Sequence, residues 1–222
     1  MKKELLGKTA EELHRMNFEA YGELEFPAIL PTKDVEKVDF IGFGERRKNL
    51  ENYGCHFFID DYRFQRVWNT PEKYLDELKQ YKYVLAPDFS LYVDYPKALC
   101  VFNNYRKHWC ARYWQEHGMT VIPVVNWIYE DSYTWCFDGD PINSVVAVSS
   151  KGVNNAKDMI KMFREGYAQM EKCLNPSKVL WFGKYCLEES RENIVFCKTT
   201  FEDRIMKLRK YHNRNVTREV KA

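Results

Sequence analysis

The chain has 222 residues, a formal net charge of +2, 45% hydrophobic and 16% aromatic residues. This excludes a largely disordered chain and allows one α/β domain with a sizeable core. No apolar run approaches the ~20 residues that cross a bilayer. The start Met1-Lys2-Lys3-Glu4-Leu5-Leu6-Gly7 has no apolar signal core, so a soluble, cytoplasmic protein is expected, with no membrane partner.

Three regions follow from the pattern along the chain: an N-terminal, partly helical segment (1–37), an α/β body (38–203) and a basic C-terminal helix or tail (204–222). Residues 10–21 read as a helix, closed by Pro27 and Pro31. Short runs rich in Val, Ile, Phe and Tyr then recur at 38–43, 56–59, 83–86, 120–125, 144–148, 178–182 and 193–197. Their continuous apolar character suits parallel strands covered on both faces.

Helical stretches lie between several of them. Thr70-Pro71 starts a helix to about residue 81. Pro96 opens a longer one to about residue 117, and Gly118 suits a left-handed cap. A third is capped by Asn154 or Asn155, carries the stripe Met159, Phe163, Tyr167, Met170 and Leu174, and is stopped by Asn175-Pro176. Thr200, with Asp203 three residues on, starts the last. This alternation predicts a small or incomplete (β/α) barrel of mostly parallel strands, with an open doubly wound sheet as the alternative. The intervals 38–56 and 120–144 leave little room for a full helix plus loops, which argues against a complete barrel. Neither glycine-rich nucleotide fingerprint is present.

In either architecture ligands bind beyond the carboxyl ends of the strands. The residues that follow the strands therefore form the candidate site. Asp60, Asp61 and Asp88 are the candidate catalytic carboxylates, since carboxylates from neighbouring strands can share acid and base roles or hold a hydrated cation. In the competing structural reading, one aspartate pairs with Arg63 and fixes its loop. Arg63, Tyr92, Asn126, Trp127, Ser149, Ser150 and Lys151 are candidate ligand-binding residues, and Ser149-Ser150-Lys151-Gly152 has the look of a phosphate-receiving turn. The mixture suits a polar ligand with a ring, such as a nucleoside, nucleotide or sugar.

Arg106 and Arg112 sit among aromatics on the 96–117 helix, a pattern that binds single strands when exposed and is core when buried. The segment 204–222 holds seven Lys/Arg against one acid. Its Arg209, Lys210 and Arg214 are candidate phosphate contacts, beside the plainer reading of a solvated last helix with a frayed end. The five histidines are never spaced i, i+4 and the seven cysteines form no C-x-x-C pair. No metal is expected, all cysteines are read as reduced, and nothing names a cofactor.

The strings Phe58-Ile59-Asp60-Asp61-Tyr62-Arg63-Phe64, Val67-Trp68 and Ala86-Pro87-Asp88-Phe89-Ser90-Leu91-Tyr92 resemble a family of bacteriophage, prophage and mobile-element proteins, the domain of unknown function 4417. Asn104-Tyr105-Arg106, Tyr113-Trp114-Gln115, Val121-Ile122-Pro123, the Trp127 region, Cys136-Phe137-Asp138-Gly139 and the run from Ser144 to Ser149 extend the likeness over about residues 26–184. Val125 and Ser150 stand where that family often has Thr. The resemblance implies a phage or mobile-element origin in a bacterial host cell and carries no catalytic assignment. Three functions stay open: an enzyme on a nucleotide-, nucleoside- or sugar-like substrate, a non-catalytic protein that sequesters a ligand or blocks a host defence factor, and a nucleic-acid-binding replication accessory. Paired carboxylates in one pocket favour the first, a pocket without them the second, and a continuous basic face the third.

Overall fold

The computed structural model describes residues 17–153 and 157–199. Two short strands, β1 (Ala20–Tyr21) and β2 (Phe26–Pro27), form an antiparallel hairpin. Then come β3 (Asp39–Gly42), β4 (Tyr53–His56), the short helices α1 (Asp61–Phe64), α2 (Arg66–Asn69) and α3 (Leu75–Leu78), and β5 (Tyr83–Leu85). The long helix α4 (Lys97–Glu116) leads to β6 (Val121–Ile122) and β7 (Val145–Ser149), and α5 (Lys157–Leu174) leads to β8 (Lys178–Phe182) and β9 (Ile194–Cys197). The intervals before β4 and before β7 hold only 3-10 turns, at Leu50–Asn52 and Glu130–Thr134.

The strands form two parallel sheets, ordered β3-β4-β5-β6 and β7-β8-β9. Neighbours in space are neighbours in sequence, without the order reversal that defines a doubly wound sheet. Isolated parallel bridges join the sheet edges at Val124–Ala147 and at Phe40–Thr199. At the first of these the Val125 N–H donates to the Ala147 carbonyl (3.0 Å) and the Ala147 N–H to the Pro123 carbonyl (2.8 Å).

Both faces of the inner strands β4 to β8 are buried, as their apolar runs require, while the edge strand β9 is partly open, with Phe196 exposed. On β7 and β8, Val145, Ala147, Leu180 and Phe182 share a core with Phe40, while Val146, Val148, Val179 and Trp181 face α5. The α5 stripe of Phe163, Tyr167, Met170 and Leu174 is buried there. Each such side chain contributes about 1.5–3 kcal/mol of burial.

Several expected boundaries move. The run 56–59 is not the strand; β4 ends at His56 and begins at Tyr53-Gly54. The expected helix at 70–81 is a 3-10 turn, Pro71–Tyr74, followed by the single turn α3. Residues 20–21 of the expected first helix are strand β1; the rest up to residue 16, the cap at 154–155 and the last helix from Thr200 lie outside the described residues. Part of the expected N-terminal segment is built into the body. Phe26, Ile29 and Val35 are buried, and the Thr32 hydroxyl donates to the Val121 carbonyl at 2.7 Å.

Helix α4 departs most from an amphipathic surface helix. Its buried residues include Trp109 and Trp114 but also Asn103, Asn104, Arg106, Lys107 and His108. The β1-β2 hairpin covers its outer side, where the His108 ring meets the Pro27 carbonyl at 3.1 Å. Gly118 ends the helix at φ +81°, in the left-handed region where a side chain costs most.

Gly54 marks a close approach inside the first sheet. A Cβ there would lie 2.2 Å from a ring carbon of Phe40. Gly54→Ala is expected to cost about 1–3 kcal/mol through overpacking, measured by urea denaturation. Phe40→Leu in the same chain should recover part of that loss.

Candidate functional site

Parallel pairing puts the carboxyl ends of the strands in each sheet on one side, and the two bridges keep that sense between the sheets. A cleft of about 230 Å³ opens there, lined by Asp88, Ser90, Tyr92, Asn126, Ser149 and Lys151, with Trp127, Met159, Met162 and Phe163 among its apolar wall. It gathers residues that follow three successive strands, β5, β6 and β7.

Asp88 is half-buried on the cleft wall. The Asn126 side-chain amide donates to its Oδ1 at 3.1 Å, and the Lys107 ammonium donates to the Asn126 Oδ1 at 2.8 Å. These two bonds fix the orientation of the Asn126 amide and hence which group it presents to Asp88. Burial pushes the Asp88 carboxyl up to about 7, helped by the negative charge of Asp61 and opposed by Lys107 and the Asn126 hydrogen bond.

Asp61 does a different job. Its carboxylate accepts the Ser90 N–H (3.0 Å) and the Ser90 hydroxyl (2.8 Å), tying the start of α1 to the loop after β5. The Asn103 amide donates to the Ser90 carbonyl at 2.7 Å. Arg106 donates to the Asn103 Oδ1 (2.6 Å) and the Gln65 Oε1 (2.7 Å), with its guanidinium 3.9 Å from the centre of the Phe89 ring. Asp61 therefore fixes a loop, but through Ser90 rather than Arg63. Asp60, Tyr62 and Arg63 are exposed, and Asp60 makes no side-chain cap to α1. The two adjacent aspartates leave the strand end in different surroundings, and only Asp88 of the three lines the cleft.

The remaining expected residues divide similarly. Trp127 is buried against α5, where a Cβ on Gly166 would lie 2.1 Å from its ring, and it packs on Phe163. The buried Ser150 hydroxyl donates to the Lys184 carbonyl at 2.6 Å, a turn-closing contact. The Ser149 hydroxyl accepts the Lys151 N–H at 3.1 Å, and Tyr92 is exposed with its ring edge on Tyr95. Arg106 is enclosed as described, which removes it as a phosphate contact. Arg112 is held by Glu116 (2.7 Å) and the Ala28 carbonyl (3.1 Å). Arg209, Lys210 and Arg214 lie outside the described residues.

Sequence reasoning missed the groups behind the cleft. Lys107 is 1% exposed, and it acts electrostatically on both Asp88 and Asp140. Asp140 and His108 are fully buried and face each other at 3.8 Å (Oδ1 to Nε2). Burial raises the Asp140 carboxyl to about 7 and pushes His108 well below its ordinary value. Local pattern gives no signal for them, because Phe102, Tyr105, Trp109 and Tyr113 recur at helical spacing along one face of α4, which leaves Lys107 reading as a solvated cation. Among the described residues, no three His, Cys, Asp or Glu side chains converge as a metal-ligand set. All seven cysteines stand as thiols.

The family model of the domain of unknown function (DUF4417) matches residues 18–200. The Gene 1 protein of Mycobacterium phage L5 is 39% identical over 173 residues, covering 77% of this chain and 76% of its own length. The Gene 1 protein of Mycobacterium phage D29 is 36% identical over 178 residues, covering 78% of this chain and 66% of its own. No solved structure matches.

A buried acid with a raised pKa binds its proton more tightly when folded, so it lowers stability as pH climbs from the unfolded value near 4 to the folded value near 7. Asp140→Asn should therefore gain on the parent chain between about pH 4 and 7, by on the order of 4 kcal/mol at most. His56 and His108, whose pKa values are lowered, push the parent the other way. The difference between variant and parent melting curves across pH, rather than either curve alone, reads the effect.

Proposed function

Because the chain belongs to the phage-associated family of the domain of unknown function DUF4417, we propose that it is a phage accessory protein. On this reading it holds a small polar ligand with a ring, of the nucleoside, nucleotide or sugar kind, in the cleft at its strand ends. We read the two sheets as parts of one seven-stranded (β/α) barrel, with the cleft on the rim of its mouth. The sequential strand order and the bridges Val124–Ala147 and Phe40–Thr199 support that reading. A site of action inside the infected bacterial cell fits the phage relatives. Among the described residues, no helix is long and apolar enough to cross a membrane.

The observation that carries the proposal is the chain of hydrogen bonds from the buried Lys107 through Asn126 to Asp88. It presents a rigid carboxyl and an oriented amide beside Tyr92 and the apolar wall of the cleft. Paired polar groups of that kind recognise hydroxyls or ring nitrogens, and the wall supplies contact for a ring. With one carboxylate on the cleft wall and Asp61 engaged by Ser90, the paired carboxylates that would favour acid and base chemistry are not brought together, and binding is the favoured reading. The enzymatic reading draws on a single observation, the Asp88 carboxyl pushed up to about 7, where a general acid works at neutral pH.

The test is untargeted. The purified chain is incubated with a bacterial metabolite extract, and the compounds that co-purify or disappear are identified by mass spectrometry. The parent should enrich a ring-bearing polar metabolite. Asp88→Asn should lose about tenfold in affinity, a change of about 1.4 kcal/mol, within the range of one ordinary hydrogen bond. Its melting temperature should stay within a few degrees of the parent or rise, because a buried functional charge is strained. Equal enrichment by the variant would move the site elsewhere. Depletion of the metabolite with appearance of a product would favour the enzyme.

A further inference from the structure

The polar side chains of the cleft are unequally engaged. The Ser90 hydroxyl donates to Asp61, the Ser149 hydroxyl accepts the Lys151 N–H, and the Lys151 ammonium donates to the Thr199 hydroxyl. Tyr92 is exposed to water. The exceptions are Asn126 and Asp88, both half-buried on the cleft wall. The Lys107 ammonium can only donate, so the atom it meets on Asn126 is the oxygen, and the nitrogen faces Asp88. That nitrogen carries two hydrogens, and the Asp88 Oδ1 accepts one of them. Among the described residues the second N–H meets no acceptor and the Asp88 Oδ2 meets no donor. One N–H and one carboxyl oxygen therefore stand side by side on the wall, held in place and without partners.

Elsewhere the lining is apolar. Leu91, Val125, Ile128, Met159, Met162 and Phe163 supply it, and methionine adapts its shape to a ring face. The cleft holds about 230 Å³, below the range of about 300–1,000 Å³ of sites for drug-sized ligands. That is room for one ring system with a small substituent. A sugar carries hydroxyls all round its ring. Seated here it would press several of them against apolar side chains without partners, which opposes binding. A planar heterocycle has two apolar faces and confines its polar atoms to its edge, and this is the distribution the cleft offers.

We infer that the cleft receives a nucleobase-like nitrogen heterocycle, held by an edge that sets a hydrogen-bond acceptor beside an N–H donor. The Asn126 N–H donates to the acceptor, and the ligand N–H donates to the Asp88 Oδ2. The uracil edge (a carbonyl beside a ring N–H) and the adenine edge (a ring nitrogen beside an amino group) both have this pattern. A ligand donor also favours the ionised form of the carboxyl, which burial opposes. The inference rests on the ligand-cleft reading and narrows it from nucleoside, nucleotide or sugar to the base.

The experiment titrates the full chain with uridine, uridine methylated at its ring N–H, adenosine, adenosine with its amino group dimethylated, and ribose. Calorimetry gives the affinities, and a 15N spectrum follows the Asn126 side-chain amide. At least one of the two nucleosides should bind saturably and shift that amide, while ribose should not. Methylation should weaken binding by about tenfold or more in the parent. In Asp88→Asn it should matter by no more than about twofold, because the oxygen that received the N–H has been replaced. Methylation that leaves the parent's affinity unchanged would overturn the inference without recourse to any variant. Ribose binding as tightly as the nucleosides, and more weakly to Asp88→Asn, would overturn the heterocycle and leave the cleft reading standing. Affinities that Asp88→Asn leaves unchanged for every compound would overturn both. No saturable response to either nucleoside up to on the order of 10 mM, well above a millimolar Kd, would overturn the inference, and the metabolite enrichment would then decide the cleft reading by itself.

Discussion

A lysine ammonium removed from water must be given acceptors or negative charge, or it must lose its proton. Lys107 meets that condition in the middle of α4. Its ammonium donates to the Asn126 side chain, and the carboxyls of Asp88 and Asp140 are within its electrostatic reach. These three residues come from the loops after β5 and β6 and from the turn before β7. One buried cation thus requires that a long helix, two strand ends and a distant loop be held in a single arrangement. The orientation of the Asn126 amide, and through it the surroundings of Asp88, follow from that requirement. Replacing such a cation would leave buried carboxyls without their compensating charge, which is why the cluster behaves as one unit rather than as separate contacts.

The sequence made the sheet legible and left the helix obscure, for physical reasons that can be named. All seven apolar runs contain or overlap a strand, because parallel strands buried on both faces need continuous apolar residues. The register error at β4 arises at Gly54. The strand begins with Tyr53-Gly54, and the glycine interrupts the β pattern because the Phe40 ring occupies the space a side chain would fill. The eye then slides to Phe57-Phe58-Ile59, which lies beyond the strand. In α4 the ordinary rule that cations mark the wet face fails. Arg106 is enclosed by Gln65 and Phe89, Lys107 reaches Asn126, and the β1-β2 hairpin covers His108. That cover comes from residues far away in the chain, and no local pattern announces it.

The candidate site shows the same division. Asp60 and Asp61 lie beyond β4, which ends at His56, and Asp88 beyond its neighbour β5, but position after a strand does not decide role. Asp61 has a serine from the next loop within reach of both carboxylate oxygens and becomes a tie between loops. Asp60, one residue earlier, faces solvent. Asp88 has an amide on one side and an open cleft on the other. The difference lies in Ser90 and Asn126, whose placement depends on tertiary structure. His56 was passed over because the sequence reading puts it at the start of the run 56–59, whereas β4 ends there, and only the hydrogen bond to its Nδ1 reveals that the other nitrogen carries a donor without an acceptor among the described residues.

The cleft and its neighbourhood are electrically uneven, and that limits what can occupy them. At one end stands Asp88, a carboxyl whose ionisation is opposed by burial, so that near neutral pH it offers both a donor and acceptors. At the other stands Lys151, beside a histidine that burial and the lysine keep uncharged. A purely cationic ligand would meet Lys151 unfavourably, and a purely anionic one would press on the Asp88 carboxyl. The end of the cleft at Asp88 therefore suits a neutral hydrogen-bonding group, which neither adds charge beside the buried carboxyl nor requires it to ionise. Because the Asn126 amide and the buried Lys107 hold the Asp88 carboxyl in one orientation, discrimination at that end comes from polar groups placed before any partner arrives.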